Sequence, residues 1–184
     1  MHFKEIETKY YAKDIDINKF VDLVEPLNPE WIMVSSYDDY FTNADGEFIR
    51  YRYTDNHGEL TIKRKTSELN NNNRIEVNLK TSGKSFKDVS AFVDLLGYKL
   101  NFSIYKTCKI AFLEKIVLVY YVVYDSKLNE LQRFVEIEAK EQYPWSSEEE
   151  AWQEVTKYEK LLEPLGITPK HRLKKSLFEI FRKS

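Results

Sequence analysis

The chain has 184 residues, of which 42% are hydrophobic and 32% charged, and its formal net charge is −2. These values fit one soluble globular domain, predicted over residues 1–184, and the nearly balanced charge excludes general nucleic-acid binding through a basic surface. No apolar run reaches the roughly 20 residues of a membrane-spanning helix, so we expect no membrane partner and a cytoplasmic location. The glycines form no phosphate-binding loop, and the single cysteine, Cys108, excludes an intrachain disulfide.

The first predicted element is a strand over residues 3–10, with the sequence FKEIETKY. Side chains alternate between the two faces of a strand, so Glu5, Glu7 and Lys9 share one face. Carboxylate oxygens suit Mg²⁺, which commonly bridges to substrate phosphates. This face is interpreted either as a solvated surface or as the start of a site for a divalent cation and an anion.

Periodicity predicts the remaining elements in chain order. A short helix over residues 16–23 precedes strands over 31–42, 48–53, 60–65 and 74–80. A helix over 85–96 is followed by long strands over 98–113 and 115–124 and a shorter one over 133–139. A capping box from Ser146 to Glu149 opens a further helix, and a terminal helix is predicted over 174–181. Short turns between most strands indicate an α+β domain built on an antiparallel sheet.

Charged side chains alternate with apolar ones on most of these strands and would lie together on one face of the sheet. An open sheet would expose that face to water, whereas a closed barrel would enclose it. Enclosed cations need an anion and enclosed carboxylates need a cation, so a polyanion with a divalent metal would satisfy both. The charged positions are Glu5, Glu7, Lys9, Arg50, Arg52, Lys63, Lys65, Arg74, Glu76, Lys80, Lys106, Glu136 and Glu138.

Eight short segments, in order along the chain, resemble the CYTH superfamily, the triphosphate tunnel metalloenzymes. The opening segment EIETK resembles the ExExK signature of that family. The other segments are Asp38-Asp39-Tyr40-Phe41 (DxYF), Ile49-Arg50-Tyr51-Arg52 (LRxR), Leu60-Thr61-Ile62-Lys63 (LTxK), Arg74-Ile75-Glu76 (RxE), Leu96-Gly97-Tyr98 with Ile104-Tyr105-Lys106, Phe134-Val135-Glu136-Ile137-Glu138 (FxExE) and Lys175-Ser176-Leu177 (KSY).

The resemblance implies an eight-stranded antiparallel closed β-barrel with flanking helices that binds a triphosphate, with Mg²⁺ or Mn²⁺ as cofactor. It implies metal ligands at Glu5, Glu7, Glu136 and Glu138. It implies phosphate ligands at Lys9, Arg50, Arg52, Lys63, Arg74 and Lys106. The catalytic set that it implies is Glu5, Glu7, Lys9, Lys63 and Glu76, with Glu76 and Glu136 supporting metal or water.

The chain departs from the family pattern at several positions. Where the family has KxR, Lys106 is followed by Cys108, so one phosphate contact is missing or is supplied by Lys109 after a bulge. Cys108 is interpreted as a small packing residue, because no histidine lies near it in the sequence. The other departures are Asn78, where the family has an acid, and Leu177, where it has tyrosine.

Three classes of function stay open at this stage. The first is a metal-dependent phosphohydrolase acting on an inorganic, nucleoside or thiamine triphosphate, or on an RNA 5′-triphosphate end, the only nucleic acid expected as a partner. The second is a class IV adenylyl cyclase that forms cyclic AMP and pyrophosphate. The third is a non-catalytic binder of triphosphate or polyphosphate. Hydrolysis is preferred because it demands less of a base pocket, and the oligomeric state, monomer or homodimer, stays open.

Overall fold

The computed structural model describes residues 6–55, 57–65, 74–81 and 85–182, and for residues 63–65 and 74–76 it describes the backbone only. The predicted metal ligand Glu5 therefore lies outside the described residues. So do the side chains of three further predicted site residues, Lys63, Arg74 and Glu76.

Eight strands form one antiparallel sheet in the order β1-β8-β7-β6-β2-β3-β4-β5. Within the described residues β1 and β5 are the end strands, and no hydrogen-bonded pairing joins them, so the predicted closed barrel is not confirmed. The strands are β1 Glu7–Tyr11, β2 Glu30–Thr42, β3 Phe48–Tyr53, β4 Gly58–Lys65, β5 Arg74–Lys80, β6 Lys99–Phe112, β7 Ile116–Tyr124 and β8 Glu130–Ala139.

In the described parts of the chain, four α-helices accompany the sheet: α1 Ile17–Val24, α2 Phe86–Leu95, α3 Glu148–Leu161 and α4 Leu177–Phe181. Side-chain caps fix where they begin, because the first N–H groups of a helix lack partners within it. Asp16 caps α1, and Ser85 forms a capping box with Asp88 at the start of α2. Among the described residues, no helix combines the length and the hydrophobicity that a membrane-spanning segment requires.

Two predicted helix starts are wrong. The N-cap of α3 is Ser147, whose Oγ accepts a hydrogen bond from the Glu150 N–H at 3.2 Å, and the Glu150 carboxylate accepts one from the Ser146 N–H at 2.9 Å. The capping residues are therefore shifted by one position from the predicted pair. The terminal helix α4 begins at Leu177 and not at residue 174, because Ser176 caps it.

One compact unit, the first unit, comprises Met1–Val34, Thr107–Val123 and Glu130–Lys174. Its core forms where the apolar stripes of α1 and α3 pack with side chains of β1, β7 and β8, and it includes Phe20, Leu118, Ile137, Val155 and Leu162. After α3 the chain returns along β1: Arg172 forms a bridge with Tyr10, and the Leu173 N–H donates to the Lys9 carbonyl at 2.7 Å.

The other compact unit, the second unit, comprises Ser35–Lys106, Tyr124–Asn129 and Lys175–Ser184. The buried face of α2 packs here on strands β2 to β4, and this core consists of Phe41, Ile49, Tyr51, Leu60, Val89 and Val93. The prediction of a single domain over the whole chain stays a prediction.

Candidate functional site

In the first unit, four predicted site residues share one face of the β1–β8 pair. The register places Glu7 directly opposite Glu138 and Lys9 directly opposite Glu136. Directly opposed residues in an antiparallel pair have Cβ atoms about 4.5–5.5 Å apart, and like charges at this spacing destabilise the pair. The opposition of Glu7 and Glu138 therefore favours a bound cation.

Lys9 supplies one positive charge to this acidic face. Its ammonium lies 2.8 Å from Glu136 Oε1 and 3.8 Å from Glu7 Oε1. Tyr121 of β7 donates from its hydroxyl to Glu136 Oε1 at 2.9 Å. Glu136 is thus fixed from β1 by Lys9 and from β7 by Tyr121.

The donor set of this face has the chemistry that a divalent metal needs. Glu7, Glu136 and Glu138 offer carboxylate oxygens, the ligands that Mg²⁺ and Mn²⁺ prefer. Among the described residues, however, no group of three or more metal-binding side chains is already assembled. Glu5 is not among those residues. The chemistry of the face fits Mg²⁺ or Mn²⁺.

In the second unit, a buried carboxylate joins two predicted phosphate ligands. Asp38 lies directly opposite Arg52 across β2 and β3, and it is fully buried. Arg52 Nε donates to Asp38 Oδ1 at 2.8 Å and Arg52 Nη2 to Oδ2 at 2.9 Å, while the Lys106 ammonium lies 2.8 Å from Oδ2. Two of the predicted phosphate ligands are thus held together by an acid that was not predicted as a site residue.

The charge state of Asp38 follows from these contacts. Burial by itself would raise the pKa of this carboxyl, but the positive charges of Arg52, Lys106 and Arg50 outweigh burial and hold the pKa well below its usual range. Asp38 therefore stays ionised at neutral and mildly acidic pH.

Arg50, on the same face of β3 as Arg52, is positioned by a different set of hydrogen bonds. Its Nη2 donates to Thr61 Oγ1 at 2.9 Å, and the Thr61 hydroxyl donates to Asn78 Oδ1 at 2.7 Å. Thr61 also lies directly opposite Asn78 in the β4–β5 register. Asn78 thus supplies a hydrogen-bond acceptor to Thr61 without placing a negative charge beside the arginine.

The backbone register also places the predicted residues whose side chains are not described. On the β4–β5 pair Lys63 lies opposite Glu76, and Lys65 lies opposite Arg74. Their roles stay predictions.

Two further residues of β6 carry predictions: Lys109 as a substitute phosphate ligand and Cys108 as a packing residue. The Lys109 ammonium lies 4.8 Å from the centre of the Trp31 ring, in the first unit, so its recorded contact is with an aromatic face. Cys108 is half-buried.

Next to the cationic residues of the second unit lies a group of stacked aromatic rings, which sequence reasoning missed. The Phe48 and Phe178 ring centres are 4.3 Å apart, and those of Tyr40 and Phe102 are 4.6 Å apart. Strand alternation places Tyr40 on the face of Asp38 and Phe48 on the face of Arg50. The sequence did contain a signal for this group: Tyr40 lies two positions from Asp38, and Phe48 lies two positions from Arg50.

Asp39, next to Asp38 along β2, points to the other face of the sheet and is also buried. Burial raises its pKa, and a hydrogen bond with Ser103 only partly opposes this. Among the described residues its Oδ2 has no hydrogen-bond partner. Burial, followed by the nearby Asp39, also raises the pKa of Tyr53 to about 12.

We expect Asp39→Asn to stabilise the protein at neutral pH. Because the folded-state pKa of Asp39 lies above that of the unfolded chain, ionisation opposes folding at neutral pH, and this penalty disappears as the pH falls to the ordinary range of an aspartate. Urea unfolding between pH 4 and pH 7.5 should show that Asp39→Asn has a higher free energy of unfolding than the unchanged protein, by an amount that decreases toward low pH. The exposed Asp45→Asn, in the turn after β2, is the control without such a gain; equal stability of Asp39→Asn and the unchanged protein at pH 7.5 would contradict the expectation.

Comparison with known proteins supports the fold. No protein-family model matches the chain, and no curated protein matches it significantly. A solved structure of a conserved hypothetical protein from Pyrococcus furiosus is similar, with TM-score 0.74, 24% identity and coverage of 96% of this chain and 99% of that one. Two others are each named "putative adenylate cyclase". The structure from Bacillus halodurans has a TM-score of 0.62, 17% identity and 96% coverage of both chains. The structure from Vibrio parahaemolyticus has a TM-score of 0.65, 12% identity and 98% coverage of both chains. At these identities the matches show a shared fold.

Proposed function

We propose that the chain is a member of the CYTH superfamily and a divalent-metal-dependent phosphohydrolase acting on a triphosphate-bearing substrate. The observation that carries the proposal is the direct opposition of Glu7 and Glu138 on β1 and β8, which favours a divalent cation. The ordered sequence segments, including ExExK and FxExE, support the same assignment, and the closed barrel that the family resemblance implies is part of the proposal.

The proposed metal ligands are Glu5, Glu7, Glu136 and Glu138, and the cofactor is Mg²⁺ or Mn²⁺. When bound, the metal would neutralise phosphate charge and lower the pKa of a bound water. In the first unit, Lys9 and Tyr121 hold Glu136 in a fixed position, which suits it to orient a water molecule.

The proposed phosphate ligands of the second unit are Arg50, Arg52 and Lys106, together with Lys63 and Arg74; Lys9 is the proposed ligand from the first unit. Guanidinium groups suit fork-like contacts with phosphate oxygens, and an ammonium acts as a point charge. Phosphoryl transfer depends mainly on positioning and charge neutralisation, so a face whose cations are held by Asp38 and Thr61 supports this chemistry.

A class IV adenylyl cyclase is the second candidate, because two structures with the same fold carry the name "putative adenylate cyclase". Cyclisation would require a ribose 3′-hydroxyl in line with the α-phosphate, whereas hydrolysis requires water at the terminal phosphate.

The test is incubation with inorganic, nucleoside and thiamine triphosphates and a 5′-triphosphate RNA, with Mg²⁺, with Mn²⁺ or with EDTA. Metal-dependent release of phosphate is the expected result, and EDTA should abolish it. Cyclic AMP with pyrophosphate would replace the proposal with the cyclase. Binding in calorimetry without any product would indicate a non-catalytic binder.

A further inference from the structure

Lys106 and Arg52, two proposed phosphate ligands, already have an anionic partner inside the protein. Lys106 is 5% exposed and Asp38 is fully buried, so both charges are largely shielded from bulk water. A buried ammonium without a counter-ion is costly, because the desolvation of the charge is then uncompensated. The Asp38 carboxylate, 2.8 Å from the Lys106 ammonium, therefore lowers the cost of burying that charge in the ligand-free protein.

Asp38 contacts both cations through its two carboxylate oxygens. Arg52 donates to Oδ1 and Oδ2, and the Lys106 ammonium lies 2.8 Å from Oδ2. The carboxylate therefore fixes the two cations relative to each other.

We propose that Asp38 is an internal counter-ion and a positioning residue for the anion site of the second unit. In the ligand-free protein its carboxylate balances the positive charges of Lys106 and Arg52, as phosphate oxygens would in the complex. It also holds both cations in a fixed position for a triphosphate. This inference rests on the proposed function, because it takes these two residues as phosphate ligands.

Asp38→Asn separates this role from simple structural support. The amide keeps the shape of the carboxyl but removes its charge, so the buried Lys106 ammonium loses the carboxylate that lies 2.8 Å from it. The melting temperature of the ligand-free variant should fall. A bound triphosphate would then replace the missing charge, so the rise in melting temperature on binding should be larger in the variant than in the unchanged protein.

A matched control exists in the first unit. Glu159 is 1% exposed and accepts the same kind of fork, from Arg172 Nε and Nη2, both at 2.6 Å. Neither residue is a proposed ligand. Glu159→Gln should therefore lower the melting temperature, while its rise with triphosphate should equal that of the unchanged protein.

The experiment is a thermal-shift series with inorganic tripolyphosphate, without metal, at constant ionic strength. We expect the ligand-induced rise for Asp38→Asn to be at least twice that of the unchanged protein and of Glu159→Gln. A rise equal to or below that of the unchanged protein would overturn the inference. If Asp38→Asn does not fold, refolding monitored by circular dichroism decides: recovery in tripolyphosphate but not in chloride of equal ionic strength supports the inference, and failure in both overturns it.

Metal-dependent turnover tells a failure of the inference from a failure of the proposed function. If the unchanged protein releases phosphate but Asp38→Asn shows no larger thermal response, the inference alone fails. If the larger response is observed but the unchanged protein hydrolyses nothing, the proposed hydrolase activity alone fails. Where turnover is measurable, Asp38→Asn should lower kcat at least tenfold without raising KM, because the variant attracts the anion but no longer fixes the cations.

Discussion

Replacement of Glu7 by Gln is expected to lower metal-dependent turnover of a triphosphate at least about a hundredfold, because even residues that only support metal ligands cost about 10–100-fold when removed. The melting temperature should stay equal or rise, since the substitution removes one of two like charges that oppose each other across β1 and β8. The measurement is steady-state phosphate release with Mg²⁺, with a thermal melt of the same sample.

Glu154→Gln is the matched control for this variant. Glu154 lies on α3 in the same unit and pairs with Lys157 at 3.0 Å, away from the acidic face of β1 and β8. Its turnover should equal that of the unchanged protein. Unaltered turnover in Glu7→Gln as well would remove Glu7 from the metal ligands.

Arg172→Ala should produce a large loss of stability. It leaves the Glu159 carboxylate, 1% exposed, with the Tyr10 hydroxyl but without its charged partner. Removal of one partner of a buried ion pair costs about 3–5 kcal/mol, and the partial exposure of Arg172 favours the lower end. For a chain of this size, about 3 kcal/mol corresponds to a fall in melting temperature of about 6–12 °C.

Arg133→Ala tests whether the burial of the ion pair is the reason for the large stability loss expected in Arg172→Ala. Arg133 makes the same fork to Glu130, at 2.8 and 3.1 Å, but both side chains are substantially exposed. Exposed pairs contribute about 0–1 kcal/mol, so this variant should melt within about 4 °C of the unchanged protein. Similar losses in both variants would contradict the explanation by burial.

The sequence was sufficient to place side chains on faces but not to pair them across strands. Alternation alone predicts that Glu7 and Lys9 share a face, as do Glu136 and Glu138, because the period of a strand is fixed. It places Asp38 and Asp39 on opposite faces but does not reveal which faces cations. Aspartate is disfavoured inside strands, so two of them in the middle of β2 were a signal of special partners.

The contacts of Glu159 show, for a helix, the same limit of prediction from sequence. The residue lies in a charged stretch of α3 between Tyr158 and Lys160, where a solvent-exposed position is the natural interpretation. Its burial depends on Tyr10, at the other end of the chain, and on Arg172, and local periodicity contains no information about either contact.

The return of the chain along β1 has a consequence for solubility. β8 occupies one side of β1, so the bridge between Arg172 and Tyr10 and the bond from Leu173 to Lys9 occupy its other side. Exposed backbone N–H and C=O groups on an end strand are a template on which another molecule can add a strand and start aggregation. The ion pair of Arg172 with Glu159 fastens this segment to α3, so the contact that stabilises the fold also protects β1 from self-association.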